Sequence, residues 1–158
     1  MIACVYSPPV RQRPAEPDTA PWYFPGGVVP SPQVPVIVDL SAGESRSFGL
    51  QVFDTSVNEG LTYVWTLIVP ELNIVQSIAS GTLGSPQTLG SVVSWQVPSI
   101  RLETCQSLFK PFLEQQGDSL SLELSVVDAI PEDQRFDPGA VAYELLVRWD
   151  VQAVGNCE

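Results

Sequence analysis

The chain has 158 residues, enough for one well-filled domain with an appendage and too few for two ordinary domains. Hydrophobic residues make up 44% and charged ones only 16%, which excludes the disordered class. Asp and Glu number 18 against 7 Lys and Arg, and the resulting net charge of −11 repels nucleic acid and anionic lipid surfaces. Histidine is absent, so imidazole serves neither as base nor as metal ligand, and Ser-His-Asp and Cys-His catalysis are excluded. No apolar run approaches the roughly 20 residues of a membrane-spanning helix.

At the start, Ile2-Ala3-Cys4 places a small residue before a cysteine and an aliphatic one before that. This tripeptide resembles the lipobox of bacterial lipoproteins, and the resemblance implies that Cys4 carries lipid. The implied location is the bacterial outer membrane, lipid-anchored, facing the periplasm or the surface. Residues 5–34 then contain eight prolines, which lack an N–H and favour extended polyproline II. At about 3.1 Å per residue such an arm reaches roughly 90 Å, a length that suits a tether. Residues 1–33 are therefore read as a Pro-rich extended arm and 34–158 as a folded body. Within the arm, Trp22-Tyr23-Phe24 is too apolar to stay solvated. These residues dock either on the body or on a partner, and they are the candidate partner-binding residues.

The body begins with Val34, Val36, Val38 and Leu40 alternating with Pro35, Ile37 and Asp39, and Pro35 restricts that strand to a sheet edge. Ser41–Ser45 reads as a turn, after which Phe48, Leu50 and Val52 face one way and Gly49 and Gln51 the other, ending at Asp54. The best-defined strand follows a turn at Asn58-Glu59-Gly60: Leu61, Tyr63, Trp65, Leu67 and Val69 are large and apolar at every second position. Pro70 stops it, residues 72–78 give a shorter strand, and residues 81–90 read as a loop without periodicity. Val93, Trp95 and Val97 alternate with Ser94 and Gln96 up to Pro98. Leu102, Cys105, Phe109, Phe112 and Gln116 then recur at steps of three and four, which predicts a short inserted helix over about 99–116, capped by Ser99 and kinked at Pro111. Two more strands carry Leu120, Leu122, Leu124 and Val126, and Tyr143, Leu145, Val147, Trp149 and Val151, each with one apolar and one mostly polar face.

The segments 48–54, 61–65, 122–128 and 143–149 resemble strands B, C, F and G of immunoglobulin-like modules of the PKD-like or cadherin-like kind in bacterial envelope proteins. The fold expected is therefore an all-β, immunoglobulin-like antiparallel β-sandwich with one inserted helix.

With Cys4 assigned to lipid, Cys105 and Cys157 remain as a disulfide pair, the alternative being two buried reduced thiols. Asp128, Glu132, Asp133 and Asp137 lie in or beside one loop and form a candidate calcium set. Their spacing is irregular and Arg135 sits among them, so a solvated acidic loop competes with that reading. Paired carboxylates for glycoside hydrolysis need a cleft that a 17.2 kDa sandwich scarcely has room for, and neither an enzyme nor a cofactor is expected. The leading expectation is a non-catalytic, lipid-anchored structural or protein-binding subunit of an envelope assembly. The alternative is a sugar-binding or adhesion module using Trp22 and Tyr23.

Overall fold

A strand points successive side chains to opposite faces, so wherever large apolar residues alternate with small or polar ones the chain folds as β-structure. A computed structural model describes residues 20–55, 60–103, 105, 119–128 and 142–157. Its strands in chain order are β1 (Val28–Val29), β2 (Val36–Asp39), β3 (Ser45–Asp54), β4 (Leu61–Val69), β5 (Ile74–Thr82), β6 (Gln87–Leu89), β7 (Val92–Gln96), β8 (Ile100–Glu103), β9 (Ser119–Asp128) and β10 (Glu144–Val154). Among the described residues there is no α-helix, only 3-10 turns at Pro25–Gly27 and Pro70–Leu72, each opened by a proline at its first position.

The strands form two five-stranded sheets. The first runs β1-β3-β7-β6, with β8 also pairing β3; the second runs β2-β10-β9-β4-β5. Strand β3 faces β10, β9 and β4 across the core, which is the separation of strand B from strands C, F and G in an immunoglobulin-like sandwich. Pairing is antiparallel except between β2 and β10, which run parallel at the sheet edge with Val36 opposite Val151. As Pro35 requires, β2 is an edge strand.

The inner faces meet over an aromatic centre. Trp65 of β4 and Trp149 of β10 are fully buried, with ring centroids 5.5 Å apart and planes at 28°. Phe48 of β3 meets Trp149 edge-on at 5.7 Å, joining the two sheets. Each such ring removes 150–250 Å² from water, worth about 4–6 kcal/mol at ~25 cal/mol per Å². The indole N–H groups find acceptors at opposite places in the chain. Trp65 Nε1 donates to the Pro98 carbonyl at 3.0 Å, and Trp149 Nε1 to the Pro30 carbonyl at 2.7 Å. Pro30 and Pro98 lie outside the strands, so their carbonyls are not taken up by a strand ladder.

Three sequence expectations need correction. The helix expected over 99–116 does not begin as one. Residues 100–103 form β8, antiparallel to Ser45–Phe48 of β3, with Leu102 buried and Arg101 outside, reaching the Ser45 hydroxyl at 2.8 Å. Leu102 fits a period of two as well as a period of four, and the backbone partners offered by β3 decide for the strand. Of the rest of that stretch, only Ser99, which precedes β8 outside any helix, and Cys105 are among the described residues. The strand expected from residue 72 starts at Ile74, after the turn at Pro70–Leu72, and continues to Thr82. Its register against β4 shifts between Trp65 and Thr66, so Ile78 bulges and the strict alternation of the strand is broken there. Finally, the loop expected over 81–90 contains β6, three residues paired with β7.

Candidate binding surfaces

The aromatic segment of the arm lies on the body. Trp22 and Phe53 exchange backbone hydrogen bonds of 2.9 and 2.8 Å, and Val28 and Val29 pair with Leu50 and Gly49, so residues 22–29 run along the free side of β3. Alternation then sorts the side chains. Tyr23 packs toward the core, whereas Trp22 and Phe24 share the outer side with Phe53. Trp22 lies nearly parallel to Phe53 at 6.3 Å, and Phe24 meets it edge-on at 4.9 Å while remaining 58% exposed. The sequence singled out Trp22, Tyr23 and Phe24 but missed Phe53. Its place next to inward-facing Val52, on the outer face of β3, was the available signal.

Beside these aromatics the outer face of the first sheet carries amides. Gln51 stands opposite Gln96, Phe53 opposite Ser94, and Ser94 opposite Gln87. Gln51 Nε2 donates to Ser94 Oγ at 3.2 Å, and Gln96 Nε2 to the Leu50 carbonyl at 3.2 Å. With Ser85 they line a cleft of about 170 Å³.

The candidate calcium ligands are only partly within view. Asp128 closes β9 and is 1% exposed; Glu132, Asp133 and Asp137 lie outside the described residues. Asp54 closes β3 at the same end of the sandwich, also 1% exposed, where its carboxylate accepts the Thr55 N–H. Among the described residues no group of three or more His, Cys, Asp or Glu side chains is arranged to hold a metal ion.

Cys105 and Cys157 form a disulfide with Cα atoms 5.6 Å apart. Cys105 follows β8 of the first sheet and Cys157 follows β10 of the second, so the bond straps the two sheets together. Cys4 lies outside the described residues. Near the strap, Asp39 ends β2 and accepts from the Ser41 hydroxyl at 2.6 Å and the Ser41 N–H at 3.0 Å. The Ser41 hydroxyl chiefly, with the Ser41 and Ala42 N–H groups, holds the Asp39 carboxyl below its ordinary value, partly opposed by desolvation.

The sheet edges differ in kind. Strand β6 has three residues, β2 four and β1 two, while β5 is a nine-residue edge strand. The hairpin of β4 and β5, residues 61–82, contains a single charged side chain, Glu71.

No protein-family model matches the chain, and no curated protein matches it. Among solved structures it is similar to the ASH / PapD-like domain of human CEP192 (PapD-like domain 7), at 12% identity and a TM-score of 0.40, over 100% of this chain and 99% of that one.

Proposed function

We propose that the chain is a non-catalytic structural and protein-binding subunit of a bacterial cell-envelope assembly, anchored through lipid on Cys4, with β5 as the edge that takes a partner strand. The observation that supports this reading is the edge itself. A sandwich ordinarily protects a long edge strand with Lys, Pro, bulges or brevity; β5 has the one bulge at Ile78 but neither Lys nor Pro over nine residues, with Val75 71% exposed. Its outward backbone groups form a template for β-augmentation, in which main-chain hydrogen bonds supply the affinity. The occupant is an extended, neutral or basic strand of another protein. A second copy is disfavoured because two chains of −11 repel each other.

The test compares amide exchange in the isolated protein with exchange in the native envelope complex. Residues 74–82 slow in the complex, and Val75→Lys with Ser80→Lys, both at exposed positions, abolishes complex formation without changing the melting temperature. Unchanged exchange over 74–82, or a complex that survives both lysines, rejects the reading. Mass spectrometry of the mature N-terminus tests the anchor separately, and an unmodified Cys4 thiol in the native host rejects it.

A further inference from the structure

The outer face of the first sheet, on the opposite layer from β5, has a composition unlike the rest of the molecule. From the strand-like segment at Trp22 across β3 and β7 to β6 it presents Trp22, Phe24, Phe53, Gln51, Ser94, Gln96 and Gln87. None of these is charged, in a chain with 18 acidic and 7 basic residues. The cleft at the β6 side is built around a buried hydroxyl: Ser94, 1% exposed, holds the Gln51 amide nitrogen. Gln96 is likewise engaged through its nitrogen. Each amide still has its Oε1 as an acceptor, Gln51 also has a second N–H as a donor, and the Gln87 amide and Ser85 hydroxyl also line the cleft. Drug-sized ligands need roughly 300–1,000 Å³, so 170 Å³ admits a single small ring. A ligand larger than that continues over the open face.

Two chemistries therefore lie side by side. The cleft offers neutral amide and hydroxyl groups, which exchange hydrogen bonds with hydroxyls and do not select charge. The neighbouring strands offer aromatic faces and edges to C–H surfaces. Three inter-strand steps of ~4.8 Å separate the Trp22 segment from β6, about 14 Å in all, the length of a short oligosaccharide. A sugar has both required surfaces, hydroxyls around the ring and C–H groups on its faces. We propose that this face binds a neutral oligosaccharide, one ring seated among Gln51, Gln87, Ser94 and Gln96 and the following rings lying over Phe53, Trp22 and Phe24. The site is independent of the β5 edge, so the protein has two binding surfaces on opposite layers.

The experiment presents the oxidised full-length chain to neutral di- to tetrasaccharides of glucose, mannose, galactose and N-acetylglucosamine, with sialylated and sulfated glycans alongside. Binders are then titrated by calorimetry and by the change in tryptophan fluorescence, with Trp22→Phe assigning the share due to Trp22. Neutral glycans are retained, and Phe24→Ala, or Gln87→Ala with Gln96→Ala, weakens them about tenfold, the cost of one lost stacking partner or of two modest hydrogen bonds. Phe24, Gln87 and Gln96 are exposed, so these variants keep the wild-type melting temperature. Val75→Lys leaves glycan binding unchanged. Failure of every neutral glycan to bind overturns the proposal. So does retention of acidic glycans alone, or an affinity that survives both sets of substitutions.

Discussion

Replacing Cys105 and Cys157 together by serine, in a Cys4→Ser background that removes the remaining thiol, isolates the contribution of the strap between the sheets. The bond spans a sequence separation of 52 residues. In the chain-entropy account, closing a loop of that size removes about 14 cal/mol/K from the denatured chain, or about 4 kcal/mol at 25 °C. For a domain of this length each kcal/mol moves the midpoint of melting by about 2–4 °C, so the double variant melts roughly 8–16 °C below the oxidised protein. Guanidinium titration followed by tryptophan fluorescence measures the same loss, and it reports on mechanism too. If the bond acts on the unfolded chain, the native spectrum stays the same while the m-value rises, because the unlinked denatured chain exposes more surface. In the native structure both cysteines also pack against the core, with Cys105 Sγ 3.4 Å from the Leu40 carbonyl oxygen, so any loss of that packing adds to the entropic effect. A midpoint within about 3 °C of the oxidised protein refutes the entropic reasoning, because the predicted loss is at least twice that.

Trp149→Phe keeps a ring in the core but removes the indole N–H that donates to Pro30, leaving that carbonyl without its donor. A loss of about 2–3 kcal/mol in guanidinium unfolding is expected from the smaller ring and the missing bond together, with faster proteolysis around residues 20–30. Gly155 has φ +76°, and an added Cβ meets Asp39 Oδ1 and Ser41 Oγ at 3.1 Å. Gly155→Ala therefore costs about 1–3 kcal/mol, while Gly84→Ala, with open space around it, stays within about 0.5 kcal/mol on the same denaturation assay. The depressed Asp39 carboxyl binds fewer protons folded than unfolded, so its contribution is present above its ordinary value near pH 4 and is lost as pH falls through the lower folded value. Asp39→Asn is accordingly less stable than the wild type at pH 7, and the difference shrinks as pH falls below about 4, as thermal melts across that range show.

What the sequence made legible follows the physics of each pattern. Alternation is a property of consecutive residues, so the strands around Trp65, Leu122 and Trp149, and the burial of both indoles, were readable without any partner. The pairing of Cys105 with Cys157 was expected only on the reading that gives Cys4 to lipid, against two reduced thiols, and the structure forms the bond. The stretch 100–103 was not. Its apolar spacing satisfies helix and strand alike, and only the open flank of β3, more than fifty residues earlier in the chain, decides between them.

The candidate sites divide the same way. The aromatics at 22–24 announced themselves by composition, but their neighbour Phe53 and the glutamines beside it come from three further segments, β3, β6 and β7. Composition and period thus determined the all-β class, the buried indoles and the acidic, histidine-free chemistry. Strand order, the seating of residues 22–29 on β3 and the neutral face they complete were decided by tertiary structure. Register between strands is set by long-range hydrogen bonds and by how two inner faces interlock, and neither is encoded in any one segment.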